Sequence, residues 1–252
     1  MLDDIKDLTK NKFLGNKLEI FQLSNGYKGN MDSVLLAAAV SAERGQRVLE
    51  LGCGNGVALC CLLYRVGVLD AYGIEMDKRA ADLCRLNLSS NKFKATIFNS
   101  DIATSIKELK PLSFDHIFMN PPYFKKNSVK KSDNQSSRQA KVETVSLSEW
   151  LLVAQKRCKP KGKVTIIQRV DRLPEIIEYL NGYFGQITVQ PISSFKDASP
   201  KTVIVQATKS SSASFKLLSP KTVHKRDRIS AKVVYKDEFK NILRCGHPLE
   251  LN

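Results

Sequence analysis

The chain has 252 residues, 42% of them hydrophobic, enough for one large α/β domain with a full core or for two small domains. Its longest N-terminal apolar run, 34–40, is far short of the ~20 residues a membrane span requires, and the mixed, acidic opening MLDDIKDLTK does not read as a secretory signal. Six cysteines without a C-x-x-C pair, and three histidines in no ligand-like spacing, argue against a structural metal and fit a reducing, cytoplasmic setting.

The net charge of +15 is unevenly spread. Between positions 121 and 170, twelve Lys and Arg face three acids, leaving +9, a field that suits a polyanionic partner.

In chain order, helical spacing is expected over 33–40, with Asp32 placed to cap it. Strands follow at 47–51, 71–75, 95–98, 116–119, 163–168, 186–190 and 202–207. Helical patterns separate them at 56–65, 78–87, 147–158 and 173–181, with Ser146 as the cap of the third of these. Strand alternating with helix predicts a mostly parallel, seven-stranded sheet covered on both faces. The Lys-, Ser- and Asn-rich stretch 125–137 has no hydrophobic period and predicts a surface loop. After Ser210 a Ser-rich segment leads into short β-like runs, expected to form an extra hairpin or to cover a sheet edge. Three parts result: a segment 1–46, a core 47–209 and a β extension 210–252.

Chemistry concentrates at the expected strand ends. VLELGCGNG, 48–56, runs a strand into a turn with Gly52, Gly54 and Gly56, where missing Cβ atoms let the backbone turn tightly and approach a ligand. The next strand ends at Glu75, whose carboxylate suits a ribose diol. The third is followed by Asp101, able to accept from an adenine amino group, with Met76 and Ile102 as apolar contacts for the ring. Gly54 is followed by Asn55-Gly56, so the spacing is not that of a dinucleotide-binding loop. The fourth strand ends in FMNPPYF, where Pro121 and Pro122 cannot extend a ladder.

This combination resembles the Rossmann-like class I S-adenosylmethionine-dependent methyltransferases. The resemblance implies that Glu50, Gly52, Cys53 and Gly54 hold the methionine part of the cofactor, Glu75 the ribose, and Asp101 the adenine with Met76 and Ile102. N-P-P-Y is similar to the motif of enzymes that methylate planar nitrogens. The lone pair of adenine N6 is delocalised into the ring, so the nitrogen is a poor nucleophile. The Asn120 amide oxygen and the Pro121 carbonyl would each accept one of its hydrogens, and Tyr123 would stack on the base.

QLSNGYKGNMDSVLLAAAV, 22–40, further resembles the N-terminal motif of the bacterial valine-tRNA (adenine-N6) methyltransferases, in Gln22, Gly26, Tyr27, Asp32, Leu35, Leu36 and Ala37. In that family this segment closes over the cofactor, which adds Asp32 to the expected cofactor residues. RVDRLPEII, 169–177, and ILRCGHPLEL, 242–251, match the same family. The implied activity is methyl transfer to N6 of adenine in RNA, with tRNA as substrate and Lys125, Lys126, Lys130, Lys131 and Arg138 on its phosphates. A protein-glutamine methyltransferase would need the same N-P-P-Y geometry and is the alternative.

Overall fold

The run RVLEL forms the strand Arg47–Leu51, and apolar side chains fill both of its faces: Val48 joins one apolar layer, while Leu49 and Leu51 join the other. Burial on both sides is what a central parallel strand requires. The same division recurs at Phe114–Met119, where Phe118 packs to one side and Ile117 and Met119 to the other. The protein is described by a computed structural model over residues 8–24, 28–104, 106–122, 145–226 and 232–251.

Two N-terminal strands, β1 (Leu8–Phe13) and β2 (Leu18–Leu23), form an antiparallel hairpin outside the main sheet. The main sheet contains β3 (Arg47–Leu51), β4 (Asp70–Glu75), β5 (Thr96–Asn99), β6 (Phe114–Met119), β7 (Cys158–Arg169), β8 (Phe184–Ser193) and β9 (Thr202–Lys209). The strand order is β8-β9-β7-β6-β3-β4-β5, and β9 alone of these seven runs antiparallel. The seven expected strands are therefore present. Two two-residue strands, β10 (Lys216–Leu217) and β11 (Lys221–Thr222), add to the outer side of β8.

Helices α1 (Met31–Ala39), α2 (Val57–Val66) and α3 (Lys78–Ser90) cover one face, with Leu35, Leu36, Leu59 and Leu62 fully buried there. α4 (Leu147–Arg157) and α5 (Leu173–Leu180) cover the other, through Trp150, Leu151, Ile176 and Leu180. Ser146 caps α4 in a reciprocal capping box with Glu149, as its sequence predicts.

The cap of α1 is a correction. The helix begins at Met31, and Asn30 caps it by accepting from the Asp32 backbone N–H at 2.9 Å; Asp32 lies inside the first turn. Either residue type serves as a cap, and the earlier start lets Asp32 favour the positive helix end from within. The tail departs further from the expected β extension. β12 (His224–Arg226) and β13 (Val233–Tyr235) pair as a hairpin, but α6 (Asp237–Cys245) follows and packs against α1, burying Phe239 and Ile242. The Leu249 N–H donates to the Ala38 carbonyl at 2.9 Å and ties the tail to the end of α1.

Candidate active site

Strands β3, β4, β5, β6, β7 and β8 all point the same way, so their carboxyl ends meet along one edge of the sheet, where open α/β folds bind ligands. The glycine turn lies at the end of β3. Gly52 has φ +63°, and a Cβ there would sit 2.3 Å from the Trp150 ring. Gly54 has φ +53°, yet a Cβ there would meet nothing within 4 Å. Gly52 is thus required by packing under α4, whereas Gly54 leaves open space above the turn.

Glu75, at the tip of β4, holds this turn in place. Its Oε2 accepts from the Gly54 N–H and its Oε1 from the Asp77 N–H, both at 2.8 Å. Burial pushes its carboxyl above the ordinary value against the pull of those two donors. Each oxygen keeps a second lone pair, so the carboxylate has capacity left for hydroxyl donors. Asn99, at the end of β5, donates to the Glu75 and Met76 carbonyls at 2.9 and 3.0 Å and fixes the strand tip from the neighbouring side. Met76 is 42% exposed. Asp101 Oδ1 accepts from the Ala103 N–H at 2.9 Å, closing a turn in which Ile102 is buried against the sheet.

A small cavity between α1 and the turn is lined by Ser33, Glu50, Gly52, Cys53, Gly54 and Asn120, among others, so the structure brings the β3 and β6 ends to one space. Glu50 is the anomaly in it. It is buried, its Oε2 has no hydrogen-bond partner among the described residues, and burial, with Cys84 and Glu75 nearby, holds its carboxyl well above the usual range. A buried carboxyl with one orphaned oxygen beside an open glycine turn fits a ligand that brings a cationic or hydrogen-donating group.

The β6 end carries Asn120 and the buried Pro121. The Pro121 carbonyl accepts from Gln168 Nε2 at 3.1 Å, and Gln168 Oε1 in turn accepts from the Arg169 N–H at 2.9 Å. Gln168 is fully buried at the end of β7, so its amide is locked at both ends and aims one lone pair of the proline carbonyl. Tyr123, Lys125, Lys126, Lys130, Lys131 and Arg138 lie outside the described residues.

Several supporting residues carry no motif. Gln22 Oε1 accepts from Asn55 Nδ2 at 3.0 Å, and the Asn55 carbonyl accepts from Asn87 Nδ2 at 2.8 Å. The Asn87 amide also pairs with both backbone groups of Phe21, at 2.7 and 3.0 Å. The N-terminal hairpin is thereby bound to the glycine turn through polar side chains. His116, by contrast, is a core residue. Its Nε2 lies 2.7 Å from Thr165 Oγ1, and burial lowers its pKa to about 3. Among the described residues no group of three His, Cys, Asp or Glu side chains is placed to hold a metal ion, and no helix is long and apolar enough to cross a membrane.

A mostly parallel sheet with one antiparallel strand, a glycine turn after β3 and acids at the next two strand ends define the Rossmann-like class I methyltransferase fold. Residues 27–191 match the family model of the methyltransferase small domain, and the chain belongs to that family. It is 28% identical over 203 residues to the tRNA1(Val) (adenine(37)-N6)-methyltransferase of Parabacteroides distasonis, covering 77% of this chain and 82% of that protein. With the Shewanella baltica protein of the same name it shares 30% identity over 175 residues, 66% of this chain and 72% of that one. Among solved structures, a predicted O-methyltransferase from Agrobacterium tumefaciens aligns with a TM-score of 0.69 at 20% identity, covering 87% of this chain and 98% of that one. The T. thermophilus 16S rRNA N2 G1207 methyltransferase, in complex with AdoMet and guanosine, aligns at 0.55 and 21%, covering 80% and 50%. At these identities the two structures speak to the fold.

Proposed function

We propose that this protein transfers a methyl group from S-adenosylmethionine to the exocyclic N6 of an adenine in RNA, with tRNA as the substrate, in the cytoplasm. The observation that carries this reading is the convergence, on one cavity, of the glycine turn and Asn120 from the N-P-P-Y turn. The curated relatives, matched over 82% and 72% of their own length, are named for adenine N6 in a valine tRNA, so adenine 37 of such a tRNA is the first substrate to try.

When bound, the cofactor supplies an electrophilic methyl group on a sulfonium. Gly52, Cys53 and Gly54 offer their backbone to its methionine part, while Glu50 and Asp32 face the amino-acid end. Glu75 accepts from the ribose hydroxyls with the lone pairs its backbone donors leave unused. Asp101 accepts from the adenine amino group, with Met76 and Ile102 as apolar contacts for the ring. On the substrate side, the Asn120 oxygen and the Pro121 carbonyl each accept a hydrogen bond from one N6–H. That favours a pyramidal nitrogen with its lone pair directed at the methyl group, and the rigid turn keeps both acceptors where charge develops. Tyr123 stacks on the extruded base. Lys125, Lys126, Lys130, Lys131 and Arg138 neutralise phosphates around the site.

The test is transfer of labelled methyl from S-adenosylmethionine into total RNA and, separately, total protein. Label in tRNA, recovered as N6-methyladenosine, is the expected result. Label in protein glutamine would replace the RNA reading with the amide alternative that the same turn chemistry serves.

A further inference from the structure

The tail after β9 does more than close the sheet. Because β8 runs parallel to β3, β6 and β7, its end at Ser193 lies on the same edge as Asn120. Strand β11 follows that end, and the Val223 and His224 N–H groups donate to the Ser193 and Ser194 carbonyls, both at 2.9 Å. The chain is thus carried past the sheet into β12 and β13. β8 stands three strand spacings from β6, about 14 Å.

At this corner three rings line up. The Phe195 and His224 centroids are 5.6 Å apart with the planes tilted by 36°, and those of His224 and Tyr235 are 5.0 Å apart and stacked at 27°. Phe195 is 37% exposed and Tyr235 36%. An aromatic cluster formed only to fill a core would bury its outer rings; here they remain open to solvent. Lys196, Lys225, Arg226 and Lys232, which neighbour these rings in the chain or along the hairpin, are all exposed. Lys225 also pairs with Asp237 at 3.3 Å, which steadies the hairpin on α6.

We infer that the Phe195–His224–Tyr235 stack and its cationic collar form the docking site for an unpaired stretch of the substrate RNA near the target adenine. This rests on the RNA reading above. Bases stack on the outer faces of Phe195 and Tyr235, and the collar takes the adjoining phosphates. Flat π-faces next to exposed cations match single-stranded nucleic acid, in which aromatic stacking and phosphate neutralisation act together and independently of sequence. An acidic protein surface would use the cations, whereas flat ring faces beside them suit stacked bases.

The experiment uses the full chain and the unmodified transcript of whichever tRNA accepts label. The double variant F195A/Y235A should weaken transcript binding roughly 10- to 100-fold. It should raise KM in step, and leave kcat at saturating RNA, cofactor affinity and the salt slope of binding unchanged. F195W/Y235W, which keeps flat faces, should restore binding. K196A/R226A should instead lower the salt slope by roughly 1.5 units, about 0.7–0.9 per lost phosphate contact. Unchanged KM in the alanine double variant would overturn the docking site while leaving the RNA reading intact. So would a loss matched by weaker cofactor binding and a lower unfolding temperature, which would make the rings structural. If the wild-type protein labels protein and binds no tRNA, both readings fall together.

Discussion

The two halves of the carboxyl edge are held differently. On the β3–β4–β5 side, the glycine turn and the acid opposite it fix each other, because Glu75 takes the backbone N–H groups of Gly54 and Asp77 on separate oxygens. On the β6–β7 side, the Pro121 carbonyl is aimed by one side-chain donor, Gln168, which belongs to another strand. On the proposed assignment of Glu75 to the cofactor, binding and folding are coupled in the first half. In the second, the Pro121 carbonyl depends on a donor outside that pair.

The largest contrast is expected from Asn120→Ala. On the proposed mechanism it removes an acceptor that matters as charge develops, so kcat should fall ~100-fold or more while cofactor affinity stays within about 2-fold. Wild-type turnover in single-turnover assays would remove Asn120 from the chemistry. Glu75→Ala should behave in the opposite manner. Loss of a charge-assisted acceptor, about 1.5–3 kcal/mol, should raise the cofactor Kd roughly 10- to 100-fold in calorimetry. It should also lower the unfolding temperature, since two backbone donors lose their acceptor. A weakened Kd with unchanged thermal stability would break the coupling claimed for this half.

Gln168→Leu sharpens the other side. Freed from its donor, the Pro121 carbonyl should lose orientation and kcat should drop roughly 10-fold, the lower end for an orienting residue. KM for RNA and cofactor affinity should hold. A variant with intact kcat would make Gln168 a packing residue only.

Two smaller effects have opposite pH signs. His116, on β6, stays neutral in the fold with a pKa of about 3, whereas an unfolded histidine titrates near ~6.5. Between those values the unfolded chain binds the extra proton. Its contribution is therefore complete above ~6.5 and is lost as pH falls, at up to ~1.4 kcal/mol per unit. His116→Gln should flatten that acid limb in denaturant titrations. Glu50, on β3, is raised instead, so its neutral form is favoured in the fold. Stability is then fullest below its unfolded pKa and declines as pH rises. Glu50→Gln should make the cofactor-free protein more stable at pH 7, with little change at pH 4, and should weaken cofactor binding. No stability gain at neutral pH would mean the buried carboxyl is already compensated.

Much of this architecture was legible in the chain. The β-rich runs RVLEL and HIFM marked strands, which burial on both faces makes central, and Ser146 marked the start of α4. The glycines, Glu75, Asp101 and Asn120 stood out because strand ends recur at intervals and the acids follow them. Helix α6 was missed although Phe239 and Ile242 have helical spacing, since only two buried positions mark its apolar side. Asp32 looked like a cap because capping types sit at both 30 and 32, and the register of α1 on the sheet decides between them.

Strand sequence, caps and turn chemistry were set by the chain itself, because each depends on side chains within a few residues of one another. The bonds that finish the site span much longer separations: Gln22 to Asn55 over 33 residues, Pro121 to Gln168 over 47, Phe21 to Asn87 over 66. So does the contact of Trp150 with Gly52. Glutamine and asparagine have no preferred partner at a distance. An amide becomes a clamp only where folding buries it beside an unmet backbone group, and tertiary structure alone makes that pairing.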